Sequence, residues 1–434
     1  MLQSARVQQT LSKAPPYAFA TWAIVAAFST YFCMYAFRKP FAAGVFEGEV
    51  EVPGVGPVGY KTVLIISQVL GYCLSKFMGI KIISELTPER RAGGILVCIG
   101  WAWGALALFA VVPAPYNALC LFLNGMPLGM IWGLVFGFLE GRRLSEVLGA
   151  GLSASYILAS GVVKSIGRAL TEMGVSEFWM PFATGALFVL PMLFFVWMLA
   201  NLPPPTAEDE RLRTKRRPMD GKARTEFFLR YLPGLLALTT LYVLLTAYRD
   251  FRDNFAVEIW AALGYAESPA ILAASEVPIT VAVLLVLAML MVIKDNRLAL
   301  IVVHVIMLLG TVLIGVSTAM YQAGALDPAT WMISVGLGLY VGYVPYGCVL
   351  FDRLIAAVNA VGTAGFLIYV TDSFGYLGSV VLMLYKDLGQ AELSWLEFFV
   401  TFSYVTAAVC GVCFTISLVY FAGQTRPTKL ESGS

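Results

Sequence analysis

The sequence predicts an all-α membrane protein with twelve transmembrane helices in two six-helix pseudo-symmetric bundles. Three observations indicate this class. Of the 434 residues, 59% are hydrophobic and only 13% are charged, a balance outside the range of soluble domains. Apolar windows of ~20 residues, the length that spans a ~30 Å hydrocarbon core, follow one another along the chain. One polar segment divides these windows into two sets, and the two sets share short motifs.

Each helix is predicted from an apolar segment that is long enough to cross the bilayer. We expect the first segment to be retained in the mature chain, because residues 1–19 lack the charged, apolar and small-residue order of a signal peptide. The fifth and eleventh segments are less apolar, since they contain many Gly and Ser residues and some charge. The predicted helices are 17–46, 59–81, 92–112, 116–139, 147–170, 178–200, 228–262, 268–293, 298–320, 331–354, 358–384 and 394–422.

A polar linker interrupts the apolar pattern and divides the chain into domains. It starts with NLPPPTAEDE, whose consecutive prolines end a helix, and continues with a basic run. We interpret this run as a solvated segment at the membrane surface and not as a nucleic-acid site. The predicted domains are an N-terminal six-helix bundle at 1–200, a cytoplasmic basic linker at 201–227, and a C-terminal six-helix bundle with a short cytoplasmic tail at 228–434.

Basic residues predict the orientation in the membrane, because short cytoplasmic loops are enriched in Lys and Arg. The two tails, the linker and alternate connections are basic, whereas the opposite connections carry Glu and Asp with few bases. We therefore expect a multi-pass integral membrane protein with both termini in the cytoplasm, in the cell inner membrane if the protein is bacterial. The basic connections contain Lys81, Arg90, Arg91, Arg142, Arg143, Lys294, Arg297 and Arg353.

The two halves of the sequence share three short motifs in the same order. The segment FRKPFA at 37–42 returns as FRDNFA at 251–256. The segment SQV at 67–69 corresponds to SEV at 275–277, and YILAS in helix 5 corresponds to YVTDS in helix 11. A parallel repeat of this kind implies a pseudo-two-fold axis along the membrane normal, with the substrate bound between the halves.

The repeated motif places Arg38 and Arg252 inside apolar stretches. A cation at the bilayer centre costs roughly 2.5–3.5 kcal/mol, so such residues usually face a water path or a ligand. Two arginines related by the axis would face each other across one cavity, where their planar forks suit an oxyanion, above all phosphate. Tyr31 and Tyr35 share a helix face with Arg38, which predicts a polar wall for the substrate. The alternatives are arginines that reach back to the interface and tyrosines that pack there.

The segments YFCMYAFRKPF and GYCLSKFMG resemble the organophosphate:phosphate antiporter branch of the major facilitator superfamily, which includes the glycerol-3-phosphate and hexose-phosphate transporters. Its members carry Tyr-x-x-x-Tyr-x-x-Arg-Lys on helix 1 and Ser-Lys-Phe on helix 2, as this chain does at 31–39 and 75–77. The resemblance implies the major facilitator fold and exchange of a phosphorylated anion for phosphate. It also implies that Arg38 and Arg252 bind the phosphoryl group while Lys76 adds positive charge.

Two parts of that family pattern differ in this chain. The family's helix 5 histidine, implicated in phosphate binding, is missing from SYILASG, and Lys164 is the candidate that replaces it as a cavity cation. The loop between helices 2 and 3 is GIKIISELTPERR, in which Glu85 takes the place of the family's acid and Arg90 and Arg91 that of its bases.

Two acids lie within apolar helices. Asp372 in helix 11 either carries a proton or forms a structural ion pair with Lys164 or an arginine across the cavity. Glu276 in helix 8 occupies the repeat position of Gln68, and both a functional and a structural role stay open for it.

Further charges are candidates for gates. Lys39 and Asp253 occupy matching positions in the repeat, and a pair between them would close an outer gate. On the cytoplasmic side, charges at the ends of helices 4 and 10 can form an inner gate with the helix 2–3 loop, although exposed helix-end charges are the commoner case. The residues assigned to the inner gate are Glu85, Arg90, Arg91, Glu140, Arg142, Asp352 and Arg353, and Arg143 lies beside them.

The sequence contains no Walker loop, no metal-ligand cluster and no Ser/His/Asp set, so we predict no enzyme activity, no cofactor and no direct use of ATP. The predicted function is a secondary active transporter of a small organic anion that works by alternating access as a monomer in the lipid bilayer. Two alternatives stay open. One is a proton-coupled carrier of a carboxylate or neutral solute, with Asp372 or Glu276 as the proton site. The other is a transporter-like membrane sensor of a phosphorylated ligand.

Overall fold

The computed structural model describes residues 3–85, 87–139, 145–205, 221–358 and 364–425. Within these ranges the chain is helical apart from its loops and one short hairpin. Eleven helices in the described ranges are long and apolar enough to cross a membrane. A further helix of 21 residues, Ala364–Leu384, carries Asp372 as its one charged residue. The predicted all-helical membrane class is therefore confirmed.

The part of the chain before the linker, residues 1–200, is named the N-half. A 3-10 turn at Pro40–Ala43 follows its second helix, and a hairpin precedes the third. The elements are α1 (Ala5–Ser12), α2 (Pro16–Tyr35), β1 (Glu49–Val52), β2 (Gly56–Gly59), α3 (Tyr60–Glu85), α4 (Pro88–Val111), α5 (Ala118–Phe136), α6 (Ser145–Glu172) and α7 (Met180–Ala200).

The part after the linker, residues 228–434, is named the C-half, and its first helix begins within the predicted linker, at Gly221. The predicted helix over 228–262 is divided into three pieces. A wider π turn at Tyr346–Leu350 connects the helix that ends at Pro345 to the helix that begins at Phe351. The elements are α8 (Gly221–Arg230), α9 (Leu232–Asn254), α10 (Ala256–Trp260), α11 (Ile271–Ala274), α12 (Glu276–Val292), α13 (Asn296–Gln322), α14 (Pro328–Pro345), α15 (Phe351–Ala357), α16 (Ala364–Leu384) and α17 (Trp395–Gln424).

The prediction of one helix over 17–46 is wrong, because α2 ends at Tyr35. Pro40 has no backbone N–H and disfavours helical backbone in the residue before it, so the chain leaves the helix at this point. Arg38 and Lys39 lie in the turn that results, where their backbone N–H groups donate to the Tyr35 carbonyl over 3.0 and 2.9 Å. Arg38 is therefore presented from a helix end and not from the middle of a straight helix.

The hairpin between α2 and α3 was not predicted. Strands β1 and β2 pair antiparallel, with Glu49 opposite Gly59. The turn between them uses Gly54 at a φ of 78°, a conformation that glycine adopts without steric cost. The hairpin stands at the same end of the molecule as Lys39, and this end is named the Lys39 end.

Helices α3 and α5 pack closely because glycines meet backbone at their crossing. A Cβ atom added at Gly71 would clash with the Phe122 carbonyl oxygen, and one added at Gly125 would clash with the Gln68 carbonyl oxygen. Small residues allow this approach of helix backbones in membrane proteins.

Contacts between the halves run mainly through two pairs of neighbours. Helix α6 packs against α11 and α12, and α3 packs against α16. At the first contact Gly161 leaves room for the Leu272 carbonyl oxygen. A cavity lies between these two lines of contact.

Candidate functional site

A cavity of about 70 Å³ lies between the N-half and the C-half and is lined mainly by aromatic side chains. Ordinary ligand pockets measure roughly 300–1,000 Å³, so the cavity in this conformation has room for a small solute only. We name it the tyrosine cavity. Its N-half residues are Tyr31, Tyr35, Arg38, Tyr72, Lys76, Trp132, Ser153 and Tyr156. Its C-half residues are Tyr242, Arg249, Tyr343, Gly347, Ile368, Asp372 and Tyr376.

Arg38 differs from the other two cations in this wall because the described residues include no acid that forms an ion pair with it. Its guanidinium carbon lies 3.8 Å from the centre of the Tyr72 ring and 5.9 Å from that of Tyr35. The residue is only 4% exposed, and its Nε has no hydrogen-bond partner. Among the residues that the structure describes, no carboxylate forms an ion pair with Arg38. A buried, uncompensated guanidinium is a strong site for an anion.

Two polar side chains hold the turn that carries Arg38. Gln68 Nε2 donates to the Arg38 carbonyl over 2.8 Å, and Asn124 Nδ2 donates to the Phe37 carbonyl over 2.9 Å. Gln68 also donates to the Asn124 side-chain oxygen over 2.8 Å. These bonds satisfy carbonyls that the end of α2 leaves free, and they fix the position of the guanidinium.

Arg249 is the arginine that the C-half contributes to the cavity. Its guanidinium donates to the Tyr343 hydroxyl and forms an ion pair with Asp250, with Nη2 2.8 Å from Oδ1. The second Asp250 oxygen accepts from Ser379 Oγ over 2.8 Å. The charge of Arg249 is therefore balanced by its own neighbour in the chain, which α16 holds in place.

Lys76 and Asp372 form an ion pair across the two halves. Lys76 Nζ lies 3.2 Å from Asp372 Oδ2, and the Tyr242 hydroxyl donates to Asp372 Oδ1. Lys76 also lies over two rings of the wall, 5.4 Å from the centre of Tyr72 and 6.0 Å from that of Trp132. The sequence left open whether Asp372 pairs with Lys164 or an arginine, and its partner is Lys76.

A line of hydrogen bonds joins this pair to Arg249. The hydroxyl oxygens of Tyr242 and Tyr343 are 3.0 Å apart. Tyr242 is the donor in its contacts with both Asp372 and Tyr343, and because a phenol has one proton, it donates to one of the two at a time. Two of the three cations in the cavity wall, Lys76 and Arg249, are thereby connected through two tyrosines and one carboxylate.

The prediction that Arg252 faces Arg38 across the cavity is wrong. Arg252 Nη1 lies 2.8 Å from Glu276 Oε1, and Nη2 donates to the Met332 carbonyl over 3.2 Å. Arg252 lies one helical turn beyond Arg249 and points between α9, α12 and α14, where Gly336 leaves room for it. The repeat aligns Arg38 with Arg252 in sequence. The C-half arginine that lines the cavity with Arg38 is instead Arg249, whose position in the repeat corresponds to Tyr35.

Glu276 and Lys164 lie outside the tyrosine cavity. Both line a separate space of about 10 Å³ together with Arg252 and Asp253. Lys164 Nζ is 2.7 Å from Asp253 Oδ1, so the interpretation of Lys164 as a cation of the main cavity is wrong. The reason is its position on α6, one turn beyond Ser160, where the helix meets the end of α9.

Ionic contacts between the halves cluster at the Lys39 end. Lys39 Nζ lies 2.5 Å from Asp253 Oδ2, and Ser160 donates to the same carboxylate that Lys164 binds. Lys61 forms a further pair with Glu258 that the sequence analysis missed. These contacts join the two halves at this end.

The residues assigned to the inner gate are only partly covered by the structure. The side chains of Glu85, Glu140, Arg142 and Arg143 lie outside the described residues. Arg91 Nη1 donates to the Gly137 carbonyl over 2.5 Å, within the N-half. Arg353 Nη1 donates to Asn296 Oδ1 over 2.9 Å, within the C-half. Arg90 and Asp352 are exposed.

The described helices define a class, the multi-pass membrane proteins, and their fold is similar to that of a solved symporter structure. A solved structure titled "Crystal structure of D-xylose-proton symporter" matches with a TM-score of 0.57 and 14% sequence identity, over 93% of this chain and 97% of that chain. At this identity the likeness shows the fold alone. It supports the predicted fold, and it does not point to the organophosphate antiporter branch.

The chain belongs to a protein family of unknown function, DUF5690, whose model matches residues 40–424. No curated protein matches the chain significantly in sequence.

Proposed function

We propose that the protein is a secondary transporter that carries a small anionic solute by alternating access, with Arg38 as the anion-binding residue. One observation carries this proposal. Arg38 is buried in the wall of a cavity between the halves, and no described carboxylate balances its charge. Leaving such a charge unpaired is costly, and an anion that enters the cavity removes the cost.

The same charge gives a reason for coupled movement. An alternating-access carrier must close its cavity from both sides, and closure removes water from the charges inside. With an anion on Arg38 the closed cavity is compensated, whereas the empty one keeps a buried cation. Exchange of one anion for another is therefore favoured over return of the empty carrier.

The proposal takes the chain as two six-helix bundles, residues 1–200 and 228–434, joined by the linker at 201–227. Following the basic loops, both termini are cytoplasmic and the Lys39 end is the outer end, which is closed by ion pairs in this conformation. Rocking of the bundles would break the Asp253 and Glu258 pairs and open the cavity on that side. We take the transporting unit to be a monomer.

Both a carboxylate and a phosphoryl group are small enough to be the anionic group of the solute in the tyrosine cavity. Exchange of a phosphorylated solute for phosphate is a more specific form of this function. Arg252 does not support it, because Arg252 lies outside the tyrosine cavity. This form retains the support of Arg38, Lys76 and the newly found Arg249. The experiment must therefore include both classes of anion.

The first experiment is a thermal-unfolding screen of purified protein with carboxylates, phosphate, sugar phosphates and neutral sugars. The stabilising compound is then tested for uptake and counterflow in proteoliposomes. We expect an anion to stabilise the native protein, and Arg38→Gln to abolish both its binding and its uptake. The exposed Arg230→Gln, which removes the same charge elsewhere, should leave both unchanged.

Three outcomes would redirect the proposal. Anion uptake by Arg38→Gln at the native rate contradicts the assignment of Arg38. Stabilisation by neutral sugars alone contradicts an anionic substrate. Binding without flux favours a membrane sensor over a transporter.

A proton-coupled carrier is the second candidate, because the tyrosine cavity contains a carboxylate, Asp372, beside Lys76 and Tyr242. The solved structure of similar fold is titled a proton symporter, which is a statement about that protein. If this candidate is right, Asp372→Asn should keep counterflow and lose uptake against a gradient.

A further inference from the structure

We propose that Asp372 sets the charge of the anion that the tyrosine cavity accepts, so that the native protein selects monovalent anions over divalent ones. This inference rests on the proposed function, because it concerns the anion bound at Arg38. Asp372 is then the residue that determines specificity, and the ligand class is a small monovalent anion.

Two of the three cations in the wall of the cavity are paired with an acid. The charge of Arg249 is balanced by Asp250, with 2.8 Å between nitrogen and oxygen. The charge of Lys76 is balanced by Asp372 at 3.2 Å. Arg38 has no described acid beside it, so the wall carries one net positive charge among the residues that the structure describes. One negative charge on the solute neutralises it.

Asp372 is the carboxylate that lines the tyrosine cavity itself. Asp250 and Asp253 line a smaller space toward the Lys39 end, which Arg38 and Arg249 also line, and Glu276 lines a third one. An anion in the tyrosine cavity therefore meets Asp372 more closely than any other acid in the described part of the chain. A second negative charge on that anion would be repelled by this carboxylate.

Lys76 is close enough to Arg38 to act on the same anion. The guanidinium carbon of Arg38 and the Nζ of Lys76 lie 3.8 and 5.4 Å from the centre of one ring, that of Tyr72. In the native protein Lys76 is paired with Asp372. Removal of the Asp372 charge would raise the charge of the wall by one next to Arg38 and Lys76, and a divalent anion matches a wall with this higher charge.

The variant Asp372→Asn tests the charge of Asp372 alone, because it preserves the hydrogen bonding of this side chain. The Asn side-chain oxygen can still accept from Tyr242, and the volume of the side chain is unchanged. The line of bonds through Tyr343 to Arg249 can therefore persist while the charge of the wall rises by one.

The experiment measures binding of sodium formate and sodium sulfate, a small monovalent and a small divalent anion, by thermal unfolding at matched ionic strength. For the native protein we expect the apparent affinity for formate to exceed that for sulfate. In Asp372→Asn the ratio of the two affinities should shift toward sulfate by about tenfold or more. Glu267→Gln removes the same charge from an exposed loop and should leave the ratio unchanged.

A double variant separates charge from structure. Lys76→Gln combined with Asp372→Asn restores one net positive charge, so the preference for formate should return. A purely structural role of Asp372 predicts that the double variant resembles the single one. If Asp372→Asn does not fold, Lys76→Gln alone makes the wall neutral and should weaken both anions.

The outcomes distinguish this inference from the proposed function. An unchanged ratio in a folded Asp372→Asn protein overturns the inference and leaves Arg38 as the anion site. The inference is also overturned if either anion binds more tightly to the Lys76→Gln variant than to the native protein. Binding of neither anion to the native protein, or undiminished binding to Arg38→Gln, overturns the proposed function and the inference with it.

Discussion

Asp253 Oδ2 lies 2.5 Å from Lys39 Nζ, in an ion pair that joins the C-half to the N-half. The other oxygen of the same carboxylate lies 2.7 Å from Lys164 Nζ, so one acid is shared by two lysines. All three side chains are largely buried, with 14%, 5% and 3% of the side chain exposed for Asp253, Lys39 and Lys164. The stability of this contact therefore depends more on the acid than on either base.

Asp253→Asn should destabilise the protein more than Lys39→Gln. Loss of the acid leaves two buried lysines without a counter-charge, and removal of one partner of a buried pair costs about 3–5 kcal/mol. Loss of Lys39 leaves the pair between Asp253 and Lys164 intact. Thermal unfolding in detergent measures both variants. Equal losses would show that the two lysines do not share the carboxylate.

The pair between Lys61 and Glu258 should behave as a contact between the halves at the Lys39 end. Lys61→Glu places two carboxylates together, and we expect it to lower the melting temperature and to favour opening at this end. The exchange Lys61→Glu with Glu258→Lys should recover most of the loss. A double variant that is as unstable as the sum of the two single ones would contradict a direct pair.

Gly336→Ala should displace Arg252 from Glu276. A Cβ atom at this position would lie 2.7 Å from Arg252 Nη2 and 2.5 Å from Ile279 Cδ1. Overpacking of this kind costs about 1–3 kcal/mol. Gly100→Ala is the matched control, because an added Cβ meets nothing there, and it should be neutral or stabilising. Equal melting temperatures for the two variants would disprove the placement of Arg252.

Asp387, in the turn between α16 and α17, should make stability depend on pH. Burial raises the pKa of its carboxyl above the ordinary value, although Gly59 N–H donates to it over 3.1 Å. Because the folded state holds this proton more tightly, its contribution to stability is present at low pH. It is lost as the pH rises from the ordinary value of about 3.9 through the raised one.

Asp387→Asn should therefore be more stable than the native protein near neutral pH, and the difference should shrink in acid. Melting temperatures across this range measure the effect, with the exposed Glu392→Gln as control. A native protein that becomes more stable relative to Asp387→Asn as the pH rises would contradict the direction of the pKa shift.

The sequence was informative where a property depends on one segment. The hydropathy of each span is such a property, and the membrane class followed from it. The stripe of Tyr31, Tyr35 and Arg38 is another, because residues three and four apart near a helix share a face whatever the rest of the chain does. The structure places all three in the wall of the tyrosine cavity.

The C-half site was predicted less well for a definite reason. The motif repeat aligned Arg38 with Arg252, but Arg38 lies in a turn that Pro40 produces, whereas Arg252 is still within α9. The equivalent position in sequence therefore points elsewhere in space. The repeat does contain a signal for Arg249, because Arg249 occupies the position that corresponds to Tyr35, a predicted residue of the polar wall.

The sequence alone determined that this chain spans a membrane with helices and that Tyr31, Tyr35 and Arg38 of the N-half share one face. Only the tertiary structure decided which acid neutralises which base. Asp372 meets Lys76, Asp253 meets both Lys39 and Lys164, and Glu276 meets Arg252. Most of these partners lie on helices far apart in the chain, so their pairing depends on how those helices rotate and pack, and no local pattern encodes that.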